Sequence, residues 1–155
     1  MPHYNFRQDL KVAKKTEKQV ADLLCKALDL KILSWCNTKD YDVLMVDSFN
    51  YPIAYEIKED FTCKRTGNIG VEYSCRGRES GITTTKASMY VWKIHAPDNT
   101  IRVYEMGVKE LREAIDNNMW FRSVTGGDEF SESKNYLFKL SFLEENAVLV
   151  GYLDE

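Results

Sequence analysis

Apolar residues recur at helical spacing near the start of the chain. Asp9 is a favourable N-cap, and the spacing predicts a helix from there to about Leu30. The apolar stripe consists of Leu10, Ala13, Val20, Ala21, Leu24, Ala27 and Leu28. Its continuity predicts that one face of the helix packs against the rest of the fold.

Short segments rich in β-branched and aromatic residues follow this helix. They predict strands over residues 31–35, 41–49, 53–59 and 69–75. Asn50 and Pro52 suit a tight turn between the second and third strands, which are then antiparallel neighbours. Residues 76–81 contain two glycines and predict a loop.

The second half of the chain mixes both patterns. Thr83 is a favourable cap for a helix through about Tyr90, and the spacing from Val108 to Ile115 predicts a short amphipathic helix. Turn residues 97–99 lie between two strand-like segments and predict a hairpin. The predicted strands cover residues 92–96, 101–106, 136–143 and 147–153. This order predicts one α/β domain over residues 1–155, with a central mixed sheet flanked by helices.

Composition narrows the classes of function. The 155 residues are 44% hydrophobic, which suits one compact domain. The net charge of -3 argues against a nucleic-acid binder that works by bulk charge. Residues 1–93 nevertheless hold 15 Lys and Arg against 12 Asp and Glu, whereas residues 94–155 hold 6 against 12. A specific nucleic-acid site therefore stays open, and we expect the acidic part, about 105–155, to pack on the core or form a subunit contact.

Cysteine spacing and hydropathy indicate the compartment. The four cysteines form no C-x-x-C pair, and the two histidines lie far from them in sequence, which argues against a zinc site. No apolar segment approaches the roughly 18 residues of a membrane span, and residues 1–18 lack the apolar stretch of a signal peptide. We expect a cytoplasmic protein with reduced thiols and no membrane partner.

A carboxylate interrupts the apolar stripe of the first helix. Glu17 falls near the centre of the stripe, where its burial costs stability unless the group is paired or metal-bound. The alternative is that this end of the helix is frayed and Glu17 reaches solvent.

A second polar group lies on the predicted hairpin. Glu56 and Lys58 project from the same face of their strand, and Asp42 opens the preceding strand. Antiparallel pairing through the turn at residues 48–52 brings Asp42 opposite Glu56 and Lys58. Two acids beside one lysine are a natural divalent-cation site, because carboxylate oxygens suit Mg²⁺. Taken alone, Glu-x-Lys on a strand is also typical of a solvated face.

Together, Glu17, Asp42, Glu56 and Lys58 resemble the core of the PD-(D/E)xK nuclease superfamily: a helix with Glu, a strand with Asp, a turn, then a strand with Glu-x-Lys. The match covers roughly residues 8–95. The helix glutamate makes the pattern similar to the Holliday-junction resolvase and phage endonuclease I branches. Tyr41 replaces the proline of the classical Pro-Asp pair, and the acidic C-terminal third has no counterpart.

The resemblance implies a restriction-endonuclease-like fold and a Mg²⁺-dependent endodeoxyribonuclease acting on branched or nicked DNA, with Mn²⁺ able to substitute. Asp42, Glu56 and the backbone carbonyl of Ile57 would hold the metal, and Glu17 would complete or position its shell. Lys58 would orient the attacking water or help to deprotonate it. Such enzymes work as homodimers without an organic cofactor, and a phage-encoded protein acting in its host cell fits this branch.

Basic side chains near the motif are candidates for phosphate contacts. Lys64, Arg65, Arg76 and Arg78 flank the strand after the motif, in polar segments that contain glycine. Lys86 follows three threonines, Thr83, Thr84 and Thr85, at a predicted helix N-terminus that favours a phosphate. A solvated basic loop is the alternative for the first set.

Other polar and aromatic residues receive a structural interpretation. Glu72 is a candidate further acid, but we favour a cross-strand charge. His95 has no acidic partner nearby in sequence, so we interpret it as structural. We favour the core for Tyr73, Trp92 and Tyr104 over stacking on unpaired bases.

Two other classes of function compete with the nuclease. The first is a degenerate nuclease fold that serves as a nucleic-acid-binding or assembly module. The second is an unrelated α/β interaction protein in which Glu17 and Glu56 are surface residues.

Overall fold

The protein was analysed as a computed structural model, which describes residues 6–125 and 132–154. In these residues it is an α/β protein with a six-stranded mixed sheet, a second antiparallel sheet of four strands and four helices. The helices are α1 (Phe6–Leu28), α2 (Cys63–Thr66), α3 (Val108–Asp116) and α4 (Leu140–Asn146). The strands are β1 (Lys31–Trp35), β2 (Val43–Val46), β3 (Pro52–Asp60), β4 (Asn68–Cys75), β5 (Arg78–Glu79), β6 (Met89–His95), β7 (Ile101–Gly107), β8 (Arg122–Thr125), β9 (Ser133–Lys139) and β10 (Val148–Leu153).

The six-stranded sheet has the order β1-β2-β3-β6-β7-β10, and the second sheet has the order β5-β4-β9-β8. Strands β3 and β6 are parallel, and the other neighbours in the six-stranded sheet are antiparallel. The central strand β6 is buried along residues 90–94, as expected for a strand covered on both faces. The predicted α/β class with a mixed central sheet is confirmed.

Each face of the six-stranded sheet covers its own apolar cluster. Helix α1 packs on one face through Val20, Ala21 and Leu24, against Tyr55 and Ile57 of β3 among others. The other face packs against the second sheet, α3 and α4. Because side chains of β3 alternate between the faces, Glu56 and Lys58 project away from α1.

The turn after β2 forms as predicted. Asp47 closes it by accepting hydrogen bonds from the backbone N–H groups of Phe49 (2.8 Å) and Tyr51 (2.9 Å). Asn50 takes the left-handed conformation with φ 61°, which asparagine tolerates better than most residues. The antiparallel pairing of β2 and β3 and the hairpin of β6 and β7 are both confirmed.

The helix predicted over residues 83–90 is wrong. The chain makes one 3-10 turn (Gly81–Thr83) and then runs in an irregular loop into β6. Tertiary bonds take the backbone donors of a helix here, because Lys86 N–H donates to Asp40 O (2.7 Å) and Ser88 N–H donates to Ala54 O (2.9 Å). Pairing with β3 then continues the segment as a strand.

Other boundaries also differ from the prediction, since the strand predicted over residues 41–49 forms only from Val43 to Val46. Helix α1 is already formed at Phe6, so Asp9 lies in its first turn instead of capping it. The predicted strand over residues 136–143 ends at Lys139, where α4 begins and buries Phe142 and Leu143. The predicted loop over residues 76–81 contains the two-residue strand β5.

The acidic part of the chain packs on the core. Leu111 of α3, Phe138 of β9 and Leu143 of α4 are fully buried in the cluster beneath the second sheet. This confirms the expectation of core packing for the described part of residues 105–155. None of the helices described in residues 6–125 and 132–154 is long and apolar enough to cross a membrane.

A buried carboxyl group lies between α1 and the sheet. Glu105 of β7 accepts a hydrogen bond from the phenol of Tyr55, and its Oε2 is buried without a hydrogen-bond partner among the described residues. Burial raises the pKa of Glu105 above its usual value, although the bond from Tyr55 opposes the shift. The folded state therefore favours the protonated carboxyl group.

Glu105→Gln is expected to make the protein more stable at pH 7.5 than the wild type, by about 1 kcal/mol. A carboxyl group with a raised pKa in the folded state binds its proton more tightly there, so stability falls as pH rises from the ordinary value through the raised one. Urea unfolding of both proteins at pH 4 and pH 7.5 measures this. A difference between them that is the same at both pH values would contradict the expectation.

Candidate active site

The hairpin of β2 and β3 places Asp42 opposite Glu56. Val43 is paired with Tyr55, so the residue before Val43 faces the residue after Tyr55. Asp42 N–H donates to Tyr55 O (2.9 Å), and Asp42 Oδ2 accepts a hydrogen bond from Ile57 N–H (2.7 Å). The Asp42 carboxylate is therefore held where β2 begins. Beyond this point, β3 continues without further pairing to β2.

Glu56 and Lys58 form an ion pair on one face of β3. Lys58 Nζ lies 3.3 Å from Glu56 Oε1, and Thr85 Oγ1 donates to Glu56 Oε2 at 3.1 Å. Glu56 is 8% exposed. Burial raises its pKa, Lys58 lowers it and the charge of Asp42 raises it, with a net increase above the usual value.

Lys58 is the cation of this site. Its side chain is 38% exposed, so part of it reaches the surface. Burial by itself would lower the pKa of Lys58, but Tyr90, Glu56 and Asp42 raise it well above the usual value. The side chain stays protonated, which suits orienting a water or a phosphate oxygen and does not suit accepting a proton.

Glu17 of α1 belongs to the same electrostatic group. It is half-buried, and its pKa is raised first by burial and next by Asp42, with a further increase from Glu56. Lys14 and Lys58 act in the opposite direction. Glu17 is thus electrostatically coupled to Asp42, Glu56 and Lys58, and we call these four residues the Glu56 cluster.

The position of Glu17 on its helix differs from the expectation. Leu10 is 45% exposed and Ala13 is exposed, so the buried stripe begins only at Thr16 and Val20. Glu17 lies at the start of the buried stripe and not at its centre. It is neither enclosed in the core nor fully solvated.

The donor set of the Glu56 cluster is suited in kind to a divalent cation. Three carboxyl groups share one lysine, and burial raises the pKa of each, so a bound cation would relieve an unfavourable concentration of negative charge. Hard oxygen donors of this kind are those that Mg²⁺ prefers. Within residues 6–125 and 132–154, no three His, Cys, Asp or Glu side chains are already grouped as ligands of one ion. Donors of the chain itself already contact Asp42 Oδ2 and both oxygens of Glu56.

Thr85 contacts the cluster directly, in a role that the sequence did not reveal. Its hydroxyl donates to Glu56 Oε2 and is also 3.2 Å from Asp40 O, and the residue is 4% exposed. Arg112 of α3 holds the same loop by donating to Ile82 O (3.0 Å) and Thr85 O (2.8 Å). A threonine in a polar segment gives no sequence signal for such a contact, because the partner comes from a distant strand.

The predicted phosphate-binding residues lie on the surface. Lys64, Arg65, Arg76, Arg78, Thr83 and Lys86 are all exposed. Lys86 is not at a helix N-terminus, since no helix forms there; its ammonium lies 3.7 Å from Asp40 Oδ1, two residues from Asp42. Thr83 Oγ1 donates to the backbone oxygen of Tyr73 (2.9 Å).

Glu72 connects the arginine-bearing hairpin of β4 and β5 to the cluster. Its register partner on the neighbouring strand β9 is the uncharged Asn135. Its carboxylate accepts a hydrogen bond from Ser80 Oγ (3.0 Å), and its charge contributes to the raised pKa of Lys58. Arg78 precedes Ser80 by two residues, which places its backbone next to this side of the cluster.

Two further interpretations are decided by burial and contacts. Trp92 and Tyr104 are buried in the core, as expected, and Tyr73 is half-buried with its ring 4.2 Å from that of Tyr136. His95 does have an acidic partner, because its Nε2 lies 2.7 Å from Glu59 Oε2. This partner is 36 residues away in the sequence, so no pattern beside His95 indicated it.

Comparison with known proteins adds no relative. The chain matches no model of a known protein family, and no curated protein sequence matches it significantly.

Proposed function

We propose that the protein is a Mg²⁺-dependent endodeoxyribonuclease with a restriction-endonuclease-like core, acting on branched or nicked DNA inside the cell. The observation that supports this most strongly is the pairing of Asp42 with Glu56 beside Lys58, with Glu17 coupled to both acids. Helix α1 carries Glu17, Asp42 directly precedes β2, and the antiparallel partner β3 carries Glu56 and Lys58, in the order that the resemblance implies.

Each residue of the cluster has a distinct role in this proposal. Asp42, Glu56 and the backbone carbonyl of Ile57 would hold Mg²⁺, or Mn²⁺ in its place, and Glu17 would complete or position the shell. The bound ion supplies positive charge for the transition state and lowers the pKa of a water. Lys58, kept protonated by its acidic neighbours, orients the attacking water or a phosphate oxygen. Thr85 fixes the carboxylate of Glu56 through its hydrogen bond.

The surface around the cluster supports a nucleic-acid substrate. Lys86 is an exposed basic group whose ammonium lies 3.7 Å from Asp40 Oδ1, two residues from Asp42, and Lys64, Arg65, Arg76 and Arg78 are exposed as well. Such groups position a phosphate backbone without reading sequence, so DNA shape is the natural basis of selection. A homodimer would present two clusters to two strands of a branched substrate.

The alternative function is a degenerate nuclease fold that binds nucleic acid without cutting it. The occupied carboxylate oxygens and the lack of a ready ligand group in the described residues favour this alternative. Cleavage and binding assays separate the two functions.

The wild type is expected to cleave a synthetic four-way junction in Mg²⁺ and to leave it intact in EDTA. It should cleave a linear duplex of the same sequence at least about tenfold more slowly, if shape directs recognition. Gel electrophoresis of end-labelled strands measures cutting, and a gel shift in EDTA measures binding. Binding of the junction without any cutting in Mg²⁺ or Mn²⁺ would favour the degenerate fold.

A further inference from the structure

Helix α1 overhangs the sheet along its first half. Residues 7–15 are all exposed, and Thr16, at 4% exposure, is the first buried position. The apolar contacts of the helix begin one turn later at Val20. Glu17 therefore lies in a turn that little apolar packing holds in place.

Polar contacts with β3 and β6 hold the turn of α1 that contains Thr16 and Glu17. Glu59 projects from β3 toward α1, on the face opposite to Glu56 and Lys58, and accepts a hydrogen bond from Thr16 Oγ1. Lys93 Nζ lies 3.1 Å from Glu59 Oε2 and donates to Gln19 Oε1 at 3.0 Å. His95 Nε2 contacts the same carboxylate. We call Thr16, Gln19, Glu59, Lys93 and His95 the Glu59 clamp.

Attaching α1 through the Glu59 clamp costs free energy, because charged side chains are desolvated. The side chains of Glu59 and Lys93 are each 10% exposed, so both charges are largely removed from water. Burial raises the pKa of Glu59, but the bonds from His95, Thr16 and Lys93 lower it by more, so the carboxylate is charged. Apolar residues of similar size would attach α1 equally well if attachment were the only requirement. Hydrogen bonds are directional, so they also fix the position of the turn of α1 that contains Thr16 and Glu17.

We propose that the Glu59 clamp sets the position of Glu17 relative to Asp42 and Glu56, with Thr16 and Glu59 as positioning residues. The inference rests on the proposed function, because it concerns the hydrolytic centre formed by these acids. Strand β3 carries Glu56 and Lys58 on one face of the sheet. On the other face, its Glu59 holds the helix that carries Glu17. Thr16, which directly precedes Glu17 in α1, donates the hydrogen bond to Glu59.

Thr16→Val tests the inference, because valine keeps the shape of threonine and removes the hydroxyl. We expect kcat for DNA cleavage to fall 10- to 100-fold, the usual effect of removing a group that orients a metal ligand, with KM changed less than about twofold. Thr16→Ser keeps the hydroxyl and should retain most of the wild-type kcat. Thr125→Val, at an exposed threonine of β8, is the matched control and should leave kcat unchanged.

A double-mutant cycle and hydrogen exchange test whether Thr16 acts through Glu17. In a Glu17→Gln background, Thr16→Val should lower kcat no further. Amide exchange over residues 13–19 should be at least tenfold faster in Thr16→Val than in Thr16→Ser, with residues 20–28 unchanged. Wild-type kcat and exchange in Thr16→Val, or a full additional loss in the Glu17→Gln background, would overturn the inference while leaving the nuclease in place. If the wild type cleaves nothing, the proposed function fails, and the exchange rates alone decide whether the clamp fixes this turn.

Discussion

Glu56→Gln is expected to abolish DNA cleavage and, at the same time, to stabilise the fold. Cleavage should fall by about 10³-fold or more, since the variant removes a charged oxygen ligand and an interaction that develops with the transition state. Stability at pH 7 should rise by about 1 kcal/mol, or about 2–4 °C in melting temperature for a protein of this size. The reason is that burial raises the pKa of Glu56, so the charged form is disfavoured in the folded state.

Both effects are measured on the same preparation, by junction cleavage in Mg²⁺ and by thermal unfolding in EDTA. Glu145→Gln, at an exposed acid of α4, is the matched control and should change neither quantity. The gain in stability should shrink as the pH falls through the ordinary pKa of a glutamate, because the wild-type carboxyl group then becomes protonated in both states. Loss of stability at pH 7 with full cleavage would mean that Glu56 is a structural ion-pair partner of Lys58 and nothing more.

Lys58→Met should remove cleavage while keeping the capacity to bind a divalent cation. Methionine retains much of the lysine stem and removes the ammonium group, which its acidic neighbours hold in the charged state. We expect a 10²- to 10³-fold loss of cleavage. Mn²⁺ binding, measured by isothermal titration calorimetry, should be as tight as in the wild type or tighter, because the competing cation 3.3 Å from Glu56 is gone.

The control for this variant is Lys109→Met, at an exposed lysine of α3. It should cleave at the wild-type rate and bind Mn²⁺ equally well. If Lys58→Met cleaves normally, Lys58 serves only to neutralise Glu56, and the water-orienting role proposed for it is incorrect.

Local patterns predicted the part of the site that lies on one hairpin. Asn50 and Pro52 mark the turn, period-two alternation sets the faces of β3, and antiparallel geometry then places Asp42 opposite Glu56. These inferences need only the chain between residues 41 and 59, where pairing is nearly forced by the short turn. The helix of Glu17 was also predictable, because its apolar residues recur over several turns.

Contacts between distant segments were beyond local patterns. The loop of Thr85 looks like a helix start by propensity, but its backbone bonds to Asp40 and Ala54 outweigh that preference. His95 and Glu59 are 36 residues apart and meet only because β3 and β6 are parallel neighbours. The sequence predicted those strands without their pairing, so it could show neither the Glu59 clamp nor the support of Glu56 by Thr85.

The most direct test of the hydrolytic centre is the conversion of supercoiled plasmid to open circle by the purified protein. One cut anywhere in the plasmid changes its mobility, and a synthetic four-way junction tested beside it supplies branched DNA. We expect cutting with wild-type protein in Mg²⁺, none in EDTA, and none with Glu56→Gln in Mg²⁺. Intact plasmid and intact junction with the wild type in both Mg²⁺ and Mn²⁺, or equal cutting by Glu56→Gln, would contradict a metal-dependent nuclease centred on Glu56.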